Sequence, residues 1–108
     1  MTGFQKIPYT DDVVLYERSP GAVSLAPEAI ADHFGLTCDH GYDDLDDFKI
    51  IIAQRDGRRI AFYRHKGARP GISLVVPLEA CTLDELTIVL LEWLGGAPHE
   101  FQAFDELW

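Results

Sequence analysis

The stretch FKIIIAQRDGRRIAFYRH, Phe48–His65, decides the fold. Two runs rich in β-branched and aromatic residues, Phe48–Gln54 and Arg59–His65, flank Arg55-Asp56-Gly57-Arg58. Such side chains fit a pleated surface, so both runs read as strands. An Asp-Gly pair at the tip suits a two-residue type I′ turn, whose central residues both take positive φ. That turn sets the register. It puts Ala53 opposite Ile60, Ile51 opposite Phe62 and Lys49 opposite Arg64 on one face. The other face pairs Ile52 with Ala61, Ile50 with Tyr63 and Phe48 with His65. Both faces are apolar, whereas a hairpin wet on one side alternates apolar with polar. The hairpin is therefore expected at the centre of a sheet covered on both sides.

Upstream, Val13–Glu17 reads as a strand ended by the turn residues Ser19-Pro20-Gly21. Pro27 suits a first helical turn, Ala29, Ile30, His33 and Phe34 follow at helical spacing, and Gly35 sits where a left-handed residue stops a helix. Residues 36–47 read as a loop rich in aspartate, with Asp43 or Asp44 placed to cap a turn of helix at Leu45–Phe48. Downstream, Gly67–Gly71 turns the chain into a strand over Ile72–Leu78, with Pro77 marking its end. Thr82 and Glu85 form a capping box, and the helix it starts runs from about Leu83 to Leu94 with Gly95 beyond. Leu83, Leu86, Val89, Leu90, Trp93 and Leu94 share its broad apolar face, leaving Ile88 and Leu91 at the polar edge. His99–Phe104 offers a last short strand.

The order is β-α-β-β-β-α-β. It predicts one α+β domain over residues 1–108, with a mainly antiparallel sheet of about 4–5 strands and two helices on one face. In element order alone it resembles a ferredoxin-like split βαβ with one extra strand. At 108 residues and 47% hydrophobic, with twelve aromatics, the chain has enough apolar surface for a core without metal or disulfide. The longest apolar run, Leu83–Leu94, is interrupted by acids and too short for a bilayer. Two unpaired-looking cysteines and no leader pattern suggest a cytoplasmic protein.

The net charge is −9, which disfavours nucleic acid and is compatible with a basic protein partner. It is unevenly spread: Arg55, Arg58, Arg59, Arg64, Lys66 and Arg69 against Asp56 give +5 within residues 55–69, leaving −14 elsewhere. Arg58, Arg64, His65 and Arg69 are therefore candidates to hold an anionic small molecule, since Arg forks match phosphate and carboxylate. A charged tip also simply discourages edge pairing. His33, Cys38 and His40 have zinc-type donors, but at a spacing no zinc motif uses, so no metal or cofactor is expected. The aspartates Asp39, Asp43, Asp44, Asp46 and Asp47 lack the EF-hand order.

No nucleophile elbow or H-E-x-x-H occurs. Cys81, just before a helix, is expected to pack as a small apolar residue beside Leu78 and Leu83. The leading expectation is thus a non-enzymatic acidic interaction module, of the adaptor, inhibitor or immunity type. Asp43, Asp44, Asp46, Asp47, Ile88, Leu91 and Trp108 are its candidate surface. The two-faced hairpin and the apolar tail make a homodimer the expected assembly. A small anion-binding domain or enzyme is the alternative.

Overall fold

The computed structural model describes residues 3–9, 20–42, 47–67, 71–95 and 101–103. Within these, the hairpin consists of β4, Asp47–Arg55, and β5, Arg58–His65 (β1 to β3 precede them in the chain). Every pair named above forms in the stated register. Asp56 at φ 53° and Gly57 at φ 78° supply the two positive angles of the tip. β6, Ser73–Pro77, continues the meander on the far side of β5 and ends with Pro77 opposite Ile60, where its missing N–H leaves no gap in the ladder.

The remaining strands are β1, Gln5–Lys6; β2, Gly21–Val23; β3, Asp39–Tyr42; and β7, Phe101–Ala103. All join one antiparallel sheet in the order β1-β4-β5-β6-β2-β7, with β3 also on β4. β1 pairs with Ala53 and Gln54 while β3 pairs with Asp47–Ile50, so the two lie end to end along β4's outer edge. β6 and β7 are both antiparallel to β2 and flank it, and the chain between them is the second helix. That is one split βαβ unit. The crossover from β2 to β3 instead spans β4, β5 and β6, which makes the sheet wider than the ferredoxin-like order suggests.

Two local expectations change. The strand expected at Val13–Glu17 lies outside the described residues, and Gly21, expected in a turn, opens β2. Gly21–Val23 has strands on both sides, so its ladder bonds come from β6 and β7 and override weak strand propensity. The loop expected over residues 36–47 contains β3, because β4 offers an unpaired edge there. No helical turn reaches Phe48: Asp47 and Phe48 are already in β4.

Helix α1, Pro27–Phe34, and helix α2, Leu83–Leu94, have the expected bounds. Gly35 and Gly95 end them in the left-handed region, at φ 72° and 83°. In α2 the Thr82 hydroxyl accepts from the Glu85 N–H at 3.1 Å, closing the capping box. Both helices pack on one face of the sheet, where Ile30, Phe34, Leu86, Leu90 and Trp93 meet Ile51, Ile60, Phe62 and Val75. Phe4 joins them, stacked on Phe34 at 4.1 Å.

The second face holds Phe48, Ile50, Ile52, Ala61, Tyr63 and Val76, with Ile7 and Tyr9 of the N-terminal segment packed against it. Ile50, Ile52 and Ala61 are at most 1% exposed in a single chain, so burying the hairpin does not require a second copy.

Candidate anion-binding groove at the root of the hairpin

Strand pairing assembles the groove. β3 and β5 flank β4, so the register sets His40 beside Lys49 and Lys49 beside Arg64 in one row across three strands. Side chains alternate along a strand, which puts Lys49 and Arg64 on the helix side, the face of Ile51 and Phe62. One step toward the hairpin root, the Lys66 N–H donates to the Asp47 carbonyl at 2.9 Å and closes the end of the ladder. His40, Asp47, Phe48, Lys49, Arg64 and Lys66 line a cavity of about 380 Å³. That volume is within the range of small-molecule pockets, roughly 300–1,000 Å³.

Among the described residues the groove is lined by three basic side chains, Lys49, Arg64 and Lys66, and one carboxylate, Asp47. Lys49 reaches Glu28 at the start of α1 only at 3.4 Å, with both side chains about half exposed. Such a pair is worth about 0–1 kcal/mol, so a better-placed anion competes with it. Arg64 leans over the root, its Nη2 at 3.5 Å from the Lys66 carbonyl. The cavity lining thus includes Arg64, two lysines and a histidine, residue types whose side chains suit phosphate or carboxylate oxygens.

Arg59, Arg58 and Arg55 have partners at or near the hairpin tip. The Arg59 backbone N–H and Nε both donate to the Glu79 carboxylate at 2.7 Å. Arg58 stands 3.9 Å from Glu85, and Arg55 lies over the Phe4 ring at 5.1 Å and near Asp56 at 3.8 Å. Of the three described sequence candidates for an anion, Arg64 alone lines the groove. Arg58 is at the tip, and Arg69 lies outside the described residues. His65 turns to the other face, against Phe48 and Tyr63 at 5.4 and 5.8 Å. Lys49, Lys66, His40 and Asp47 complete the site. The Lys49–Arg64 pair was visible in the hairpin register, but Lys49 falls outside the basic window.

The zinc-type trio is not brought together: among the described residues no three His, Cys, Asp or Glu side chains are grouped to hold a metal. His33 Nε2 lies 2.9 Å from the Trp93 carbonyl, tying the end of α1 to the last turn of α2. Cys38 packs against the helix-side core, and burial, helped by the Glu28 charge, pushes its thiol up to about 11. Cys81 also packs on the helix side, away from Leu78, and burial raises its thiol despite the opposing Arg58 charge.

In the acidic segment, Asp39 grips the N-terminal strand: Lys6 Nζ is 2.7 Å from one oxygen and the Tyr9 N–H donates to the other at 2.9 Å. Burial alone raises this carboxyl, but those partners together outweigh it and hold it below its ordinary value. Asp43, Asp44, Asp46 and Trp108 lie outside the described residues. Ile88 and Leu91 are exposed on α2. Among the described residues no helix is long and apolar enough to cross a membrane. No protein-family model, curated protein or solved structure matches this chain, so its function is read from its own geometry.

Proposed function

We propose that this chain binds a small polyanion, carrying phosphate or carboxylate groups, in the groove at the hairpin root. The observation that carries the reading is the convergence of Lys49, Arg64, Lys66 and His40 on one opening, in a chain whose net charge is −9. In so acidic a chain, cations gathered at one cavity favour a function over solubility. Arg64 orients two oxygens through its fork, and the lysines neutralise without fixing geometry. Asp47 is the acid among the described lining residues, and it favours ligands that also offer a hydroxyl or amine. The chemistry this supports is binding rather than catalysis, and the two free thiols suit a reducing, cytoplasmic setting.

Calorimetric titration with pyrophosphate and citrate, at low and high salt, tests the proposal. Binding is expected, weaker in high salt, and reduced about tenfold or more when Lys49 and Arg64 are both replaced by Met, a loss of about 1.4 kcal/mol per tenfold. Equal affinity in the double variant, or no heat with either anion, would sink it.

A further inference from the structure

We infer that the outer face of α2 docks an amphipathic helical segment of another protein that carries two basic residues about two turns apart. The inference is independent of the groove. Leu83, Ile88 and Leu91 are the exposed large apolar residues among those described, at 41%, 57% and 42% exposure, and all three lie on this one helix. A soluble domain scatters such residues singly, whereas a cluster on one surface marks a contact.

The helical repeat arranges the face in two columns. One is Leu83, Thr87 and Leu91. The Thr87 hydroxyl donates to the Leu83 carbonyl at 2.8 Å, so it asks nothing of an outside partner and the column is apolar in effect. The other column is Asp84, Ile88 and Glu92, an apolar centre with a carboxylate one turn to either side. At the α-helical rise those carboxylates are about 12 Å apart along the axis. Among the described residues neither makes an ion pair, whereas Glu85 is occupied by the cap and by Arg58.

Charge decides the occupant. A second copy packed antiparallel about a two-fold would set Asp84 of one chain against Glu92 of the other, twice, between molecules of charge −9. Like charges so placed oppose association. A helix with apolar residues between two lysines or arginines answers both columns at once.

A fluorescein-labelled synthetic helix with that pattern, followed by fluorescence anisotropy, is the probe. Its control has serine in place of every leucine and the same charge. The patterned peptide is expected to bind, and more weakly in high salt. Its affinity should drop about tenfold or more in each of two double variants, Ile88→Ser with Leu91→Ser and Asp84→Asn with Glu92→Gln. All these positions are exposed, and unchanged far-UV circular dichroism verifies the fold. No binding by the native chain, undiminished binding by either variant, or equal binding of the serine control overturns the inference. So does a doubled mass in light scattering that the serine variant returns to 12.1 kDa.

Discussion

Gly41 is fixed in place by a ring. It pairs with Phe48 across β3 and β4, and a Cβ built on it would overlap the Phe48 ring. That ring has little room to move, being 3% exposed and bounded by Tyr9 at 5.4 Å and Tyr63 at 6.2 Å. Gly41→Ala is therefore expected to destabilise the fold by about 1–3 kcal/mol, the usual range for overpacking, as read by urea unfolding. Asp39 makes a pH prediction with a definite sign. Its folded carboxyl is lowered, so the charged form is the one that folding favours. The stabilisation is complete above the ordinary carboxyl value, about 3.9, and is lost as pH falls through the lower folded value. Asp39→Asn should be less stable than the native chain at neutral pH, and the gap should close in acid. A gap that persists unchanged at low pH would contradict the assignment.

Among the elements, local signals were legible and borrowed ones were not. Strand–Asp-Gly–strand gave the hairpin and its register, and Thr82 with Glu85 marked the start of α2, because each encodes its partner within a few residues. Thr82→Ala removes the hydroxyl that accepts from the Glu85 N–H, so a loss of about 1 kcal/mol is expected in thermal or urea unfolding. β2 and β3 carry no such local code. Gly21–Val23 is a strand because β6 and β7 lie beside it, and Asp39–Tyr42 is one because β4's edge is free. The groove inherits this limit. Arg64 stands out in the sequence as part of a basic window. His40 reaches Lys49 only once β3 has paired, a contact between residues nine apart that composition does not announce.

At the scale of the whole molecule, the basic window of the sequence divides into two ends with different fates. The tip arginines neutralise Glu79, Glu85 and Asp56 and serve the fold. The root cations, joined by Lys49, gather around a cavity. A small polyanion is therefore expected to distinguish the two ends of one hairpin. The direct measurement is a titration of isotope-labelled protein with pyrophosphate, followed by amide chemical shifts. Saturable shifts should concentrate at His40, Lys49, Arg64 and Lys66, while Arg55, Asp56, Gly57 and Arg58 at the tip stay still. Shifts centred on the tip, or none at the root, would contradict the assignment of the groove as the binding site.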